Sequence, residues 1–192
     1  MSLSGKQAGI AAMGIKGRYR YTDKEAKSIL KAAVVLTDTR EQKNGHILTG
    51  FDKLGVKHKL MGLSYGDYSV MLPACPEMGL HREVYFDNAV MIERKASLNE
   101  LAGNLGKSRE RFKDELIRAG DAQKYLLIEQ GGGYSAILNN QYHSQLSAKA
   151  FFASLLSFQA RYGLNVIFTG PDMSADIIWG LLYYHVREWL TR

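Results

Sequence analysis

Apolar positions along this chain cluster in two kinds of pattern. Short, β-branched runs recur at "AVVLT" (33–37), "YSVML" (68–72), "AVMIERK" (89–95), "KYLLIEQ" (124–130) and "LNVIFTG" (164–170). Each has the length and composition of a strand. "VKHKLMGL" (56–63) alternates polar with apolar residues and predicts another. Helices fall between these runs. Thr22 followed by Glu25 has capping-box spacing, so a short helix starts near 22. A second helix runs from about Lys43 to Leu54 and stops at Gly55. A helix or helix pair covers 97–119, and "SAKAFFASLLSFQARYG" (147–163) and "SADIIWGLLYYHVREWL" (174–190) read as two more. "SYGDY" (64–68) predicts a turn. Residues 73–88, with two of the three prolines, predict a loop or a loop leading into a strand. "GGGYSAILNN" (131–140) predicts a loop. Strands alternating with helices predict an α/β sheet covered on both faces.

Length and composition narrow this picture. A chain of 192 residues fits one domain with a real core. No apolar run reaches the roughly 20 residues that span a bilayer, and the N-terminus lacks the apolar centre of a secretory signal. The single cysteine, Cys75, excludes a disulfide framework and a cysteine-rich zinc site. A reducing, cytoplasmic compartment is expected. Of the net charge of +6, residues 1–32 carry +5, from seven bases against two acids. The chain therefore divides into a basic N-terminal arm with a short helix (1–32) and a domain (33–192). Such an arm can follow a polyanion backbone or stay solvated.

One strand end stands out. "VMIERKASLNEL" (90–101) runs from apolar residues straight into Glu93, Arg94 and Lys95. Alternation along a strand puts Glu93 and Lys95 on one face and Arg94 on the other. A carboxylate there can bind a hard divalent cation, and an ammonium can place a point charge on a phosphate or position a water. Partners are available at two comparable places. Asp67 lies in the "YGDY" turn, and Asp38 ends "AVVLT" with Glu41 three residues on. Ligands gather at strand ends in α/β sheets. Two carboxylates about 4 Å apart repel by on the order of 4 kcal/mol at an effective dielectric near 20, and bound Mg²⁺ or Mn²⁺ would remove that repulsion. Taken singly, each motif also reads as a cap, a turn or a solvated strand end.

"VVLTDTREQ", "YGDYSV" and "IERKASLNEL", in this order and spacing, resemble the XPF-type structure-selective nucleases, in particular the stand-alone nuclease domains of bacteria and their phages. The likeness extends through "GNLGKSRERFKDEL", "YLLIEQ" and "RYGLNVIF" and covers roughly 33–190. It implies a restriction-endonuclease-like fold in a single domain, with a mixed central sheet flanked by helices and a metal site at one edge. It implies Mg²⁺- or Mn²⁺-dependent hydrolysis of DNA at branches, flaps or single-strand/double-strand junctions. By motif match, Asp38 and Glu41 form the first acidic motif, and Asp67 and Glu93 the metal-binding pair. Lys95 matches the catalytic lysine and Arg94 the arginine beside it. Arg40 is a candidate for bracing the acids or contacting DNA.

Two departures matter. The family signature has an acid four residues after the lysine, where this chain has Asn99. An amide hydrogen-bonds but supplies no charge. Glu100, about 100° further around a helix, reads as a poor substitute. A DNA-structure-binding module with weakened or lost cleavage is therefore the alternative. A glycoside hydrolase built on a carboxylate pair leaves Lys95 and the arm without a role. Many family members also carry helix-hairpin-helix modules after the nuclease domain, whereas this chain ends at "REWLTR". DNA grip then falls to the arm and to Lys107, Arg109, Arg111 and Lys113. Those four also read as a solvated helix face. The apolar "FFASLLSF" and "IIWGLLYYHV" read as core, with a homodimer interface on the second helix as the sharper reading. The five histidines show no ligand spacing.

Overall fold

The apolar runs assemble into a seven-stranded mixed sheet in the computed structural model, which describes residues 20–192. Its strands are β1 (Val34–Thr37), β2 (Lys57–Leu60), β3 (Tyr68–Leu72), β4 (Val84–Tyr85), β5 (Val90–Lys95), β6 (Gln123–Glu129) and β7 (Leu164–Thr169). They lie in the order β2-β1-β3-β5-β6-β7, with β4 paired to β3. The pairs β1–β2, β5–β6 and β6–β7 are parallel, while β3 is antiparallel to β1, β4 and β5.

Helices make the crossovers that parallel pairing requires. Helix α1 (Asp23–Leu30) precedes the sheet, and α2 (Gly45–Leu54) links β1 to β2. Helices α3 (Leu98–Leu105) and α4 (Arg109–Arg118) link β5 to β6. Helices α5 (Gly133–Leu138) and α6 (Ala148–Tyr162) link β6 to β7, and α7 (Ser174–Thr191) closes the fold. The local signals act as physical chemistry requires. Glu25 N–H donates to Thr22 Oγ1, and Thr22 N–H donates back to Glu25 at 2.8 Å. Gly55 and Gly163 stop α2 and α6 in the left-handed conformation, at φ 67° and 63°.

Alternation in the central strands divides the interior into two layers. Val90, Ile92 and Leu127 join the core formed with α1, α2 and α7, while Met91, Leu126 and Ile128 join the one under α3–α6. Helix α1 belongs to the first layer through Ala26, Ile29 and Leu30, and Tyr21 N–H donates to Leu190 O at 3.2 Å. Tyr21 and the apolar side of α1 therefore pack with the sheet domain. The basic arm up to residue 19 lies outside the described residues. Among the described residues no helix is long and apolar enough to cross a membrane.

The 131–140 segment differs from its expectation, since it contains α5. Its glycine run hid a single helical turn and a half whose anchors, Ala136 and Ile137, are too few to show a period. The 97–119 segment is a helix pair, and residues 73–88 hold a 3₁₀ turn (Pro76–Met78) and the two-residue β4.

Helices α2 and α7 meet at Gly50, where an added Cβ would lie 2.4 Å from Ala175 Cβ. Helix propensity alone favours Gly→Ala by roughly 1 kcal/mol, but forced overpacking costs about 1–3 kcal/mol. Gly50→Ala is expected to lose about 1 kcal/mol net, seen as a lower urea midpoint at unchanged slope. A raised midpoint would show that the two helices separate freely.

Candidate active site

Strands β1, β5, β6 and β7 end, and β3 begins, at one edge of the sheet, so side chains from distant segments meet there. The turn into β3 explains its Gly-Asp. Gly66 has φ +69°, and a Cβ there would press on Met91 Cβ at 3.1 Å and Ile92 O at 3.3 Å. Only glycine fits both demands. The next residue is clamped between two strands: Asp67 N–H donates to Ile92 O, and Asp38 N–H donates to Asp67 O, each at 2.8 Å.

On one face, Lys95 Nζ donates to Glu93 Oε1 at 2.6 Å, with both side chains buried. Asp67 Oδ2 accepts Arg94 N–H at 2.7 Å. Burial, then the neighbouring Glu93 charge, pushes the Asp67 carboxyl well above the ordinary carboxylate range. Burial likewise pushes Glu93 up to about 7, opposed by Lys95 and reinforced by Glu115. Burial works against the charge on Lys95, but Glu93 and Asp67 outweigh it and hold that pKa above an ordinary lysine's. Phe112 lies under the ammonium at 5.6 Å, and Glu100 Oε1 reaches it at 3.5 Å. Glu115 on α4 accepts Gly66 N–H at 3.2 Å.

On the other face Arg94 bridges two carboxylates, donating to Glu41 at 2.7 Å and Glu129 at 2.6 Å. Glu129 also accepts Ser174 Oγ and pairs with His46 Nε2, both at 2.7 Å. Burial alone would raise the Glu129 carboxyl, but its bonds to Arg94, His46 and Ser174 bring it down to about 2.

The expected acidic motifs are thus sorted rather than merged. Asp67, Glu93 and Lys95 come together. Glu41, expected among the catalytic groups, pairs through Oε1 with Arg94, and its charge also acts on Asp67. Asp38, expected as a third metal ligand, accepts three hydrogen bonds. Oδ1 accepts Arg40 N–H and Nε–H at 2.8 and 2.6 Å, and Oδ2 accepts Leu63 N–H at 2.6 Å. Those bonds outweigh burial and lower its pKa. Arg40 braces Asp38 and also donates to Leu63 O at 2.9 Å, while 62% of its side chain stays exposed. Glu100, Glu115, Glu129, His46 and Ser174 were not singled out from sequence as site residues. A charge ending the "YLLIEQ" strand was the one available signal, of the same kind as "ERK".

Among the DNA-contact candidates, Lys107 and Arg111 are exposed. Lys113 is paired with Glu110 at 2.8 Å. Arg109 is half-buried, donating to Leu105 O and Ser154 Oγ and lying 4.7 Å over Phe158. It holds α4 to α6 rather than reaching outward. Asn99 points away from Lys95, its Oδ1 accepting His143 N–H at 2.6 Å.

Among the described residues no group of three or more His, Cys, Asp or Glu has a metal-holding arrangement. Two carboxylates are enough for Mg²⁺, which keeps waters and recruits substrate phosphate oxygens to one or two protein ligands. Asp67 and Glu93 fit that chemistry. They are hard oxygen donors raised in pKa by burial, Asp67 also by the Glu93 charge and Glu93 also by Glu115, and a cation would offset that negative charge.

The family model for the ERCC4 domain matches residues 37–180. Among solved structures the fold is similar to XPF from Aeropyrum pernix, with TM-score 0.53 and 20% identity over 79% of this chain and 61% of that one. It is also similar to XPF from Aeropyrum pernix in complex with DNA, with TM-score 0.57 and 20% identity over 81% of this chain and 66% of that one. This chain therefore spans slightly less than two thirds of those structures. The comparison with curated proteins finds no match.

The two buried strand-end glutamates have opposite effects on stability. Glu129, lowered from the usual 4.5 to about 2, stabilises the fold above pH 4.5, and that contribution is lost as pH falls towards 2. Glu93, raised from 4.5 to about 7, holds its proton more tightly when folded, so stability declines as pH rises across that window. In EDTA the Tm is expected to fall between pH 5 and 7.5, and Glu93→Gln is expected to flatten the fall. Identical slopes for variant and wild type would show that Glu93 is not the group responsible.

Proposed function

The chain belongs to the ERCC4 domain family, and from that premise we propose that it is a divalent-metal-dependent DNA endonuclease hydrolysing phosphodiesters at branched, flapped or junction DNA. The carrying observation is the buried Glu93–Lys95 pair, at 2.6 Å, beside Asp67 on one face of the sheet edge. Similarity to a structure solved with DNA supports DNA as the substrate class.

Asp67 and Glu93 would hold the metal. Bound Mg²⁺ or Mn²⁺ would polarise the phosphate and lower the pKa of an attacking water. Every other part belongs to the chain. The Arg94 N–H fixes Asp67 Oδ2 and leaves Oδ1 for a ligand. Lys95 stays protonated and presents an ammonium, held between Glu93 and Glu100, to the water or to the charge growing on the phosphate oxygens. Arg94, clamped by Glu41 and Glu129, keeps β5 in place relative to β1 and β6. Asp38 and Arg40 fix the loop that ends β1 against Leu63. Lys107 and Arg111 would contact phosphates. Tyr184, exposed on α7 beside the half-buried Tyr183, supports a homodimer face on that helix.

A binding module without cleavage is the other reading, motivated by Asn99. The Glu100–Lys95 contact at 3.5 Å places a carboxylate beside the lysine after all, which favours cleavage.

Fluorescent flap, fork and linear DNA should be cut in Mg²⁺ or Mn²⁺ but not in EDTA, with branched substrates preferred. Lys95→Ala, Asp67→Asn and Glu93→Gln should each slow cutting by roughly 10²-fold or more. Tight binding without cutting in either metal would favour the binding module. Wild-type rates in Asp67→Asn or Glu93→Gln would remove those residues from the site.

A further inference from the structure

Helix α3 separates two different surfaces. Glu100 turns towards Lys95, while Asn99, Gly103 and Gly106 form a stripe along another side. That stripe is one wall of a groove of about 740 Å³, and residues 142–146 form the opposite wall. The volume falls within the range of small-molecule sites. The far wall is braced in place. Tyr142 Oη donates to Leu146 O at 2.8 Å, and its ring packs edge-on against buried Phe151. His143 N–H is tied to Asn99.

That last bond orients the amide. With Oδ1 accepting from His143, Asn99 Nδ2 has its hydrogens free to face the groove, and no hydrogen bond holds them among the described residues. The charge of the lining is also distinctive. Lys107 contributes an ammonium with no hydrogen bond or ion pair among the described residues, and no carboxylate lines the groove. This contrasts with the acidic centre at Glu93, reached through the adjacent residue of the same helix. At Gly103 a Cβ would meet nothing within 4 Å, so the helix backbone lies open on this side.

A ligand suited to this lining carries acceptors and negative charge and has a flat body that slides along bare helix backbone. We propose that the groove binds a nucleotide of a DNA single strand continuing from the active site, with Asn99 Nδ2 and Lys107 donating to its base or phosphate oxygens. This rests on the nuclease reading of the neighbouring site. Position 99 then acts as a specificity-determining donor. An acid there would keep the bond to His143 but would lose the donor.

Two variants separate this role from a structural one. Asn99→Asp keeps the acceptor for His143 and removes the donor. Gly103→Leu fills the groove without changing charge, and because Leu is a better helix former than Gly it should not lower the Tm. Binding of a fluorescein-labelled single-stranded oligonucleotide, followed by anisotropy in EDTA, is expected to weaken on the order of tenfold in each. Affinity for a blunt duplex should change less than twofold. Single-strand affinities equal to wild type in both variants would overturn the groove, as would equal losses for single strand and duplex. Cutting in Mg²⁺ is scored separately. A wild type that binds through the groove yet never cuts keeps the groove and loses the nuclease, and the reverse pattern does the opposite.

Discussion

An ionised side chain buried in a sheet must find partners across the strand ends, and β5 finishes with three in a row. Glu93, Arg94 and Lys95 are all buried. Strand geometry sends them to alternate faces, so neither face carries the whole load. Above the sheet Lys95 answers Glu93. Below it Arg94 is shared between Glu41, just after β1, and Glu129, at the end of β6. Breaking such a buried pair from one side costs about 3–5 kcal/mol, far more than any exposed ion pair on this molecule. The arginine thereby ties the ends of three segments together, and the face that carries Asp67, Glu93 and Lys95 inherits its geometry from that tie. The coupling is direct, because the same residue's backbone N–H holds Asp67.

The two faces resolve their charge differently, and the difference separates support from chemistry. Glu93 and Glu129 are both strand-end glutamates with little exposure. Glu129 is surrounded by donors and is brought down to about 2, whereas burial, with one donor and acidic neighbours, raises Glu93 to about 7. A carboxylate that already accepts three hydrogen bonds has its charge largely offset by donors. Glu93, buried with Glu115 and Glu100 close by and only Lys95 donating to it, is the carboxylate whose charge the proposed cation would offset. Asp38 falls on the satisfied side, with both oxygens occupied by N–H groups. Its three hydrogen bonds tie the end of β1 to Leu63 and Arg40.

Much of this was legible in the chain because it depends on local rules. The strand runs, the capping box at Thr22 and the stops at Gly55 and Gly163 each follow from a few adjacent residues. Period-two alternation alone separates Arg94 from Glu93 and Lys95. The partners were not legible. His46 meets Glu129, and Glu129 meets Arg94, only because β1, β5 and β6 end at one edge. No short-range pattern encodes that meeting. Glu115 reads as one more charge on an exposed helix until α4 packs it over the Gly66 turn.

Position 99 shows how a local rule can decide a functional question. "SLNE" (97–100) has the spacing of a capping box, and Ser97 does cap α3, accepting Glu100 N–H at 3.3 Å. Capping folds the third helical residue back towards the entry of its own helix, where Glu100 accepts Ala96 N–H at 3.0 Å. That same fold brings it beside Lys95. The capping geometry thus selects Glu100 as the lysine's second neighbour and turns Asn99 about 100° away, towards the open groove. The amide that departs from the family pattern is therefore not a vacancy beside the lysine. It is a neutral side chain tied to His143 through Oδ1, with Nδ2 left as a donor on the lining of the groove.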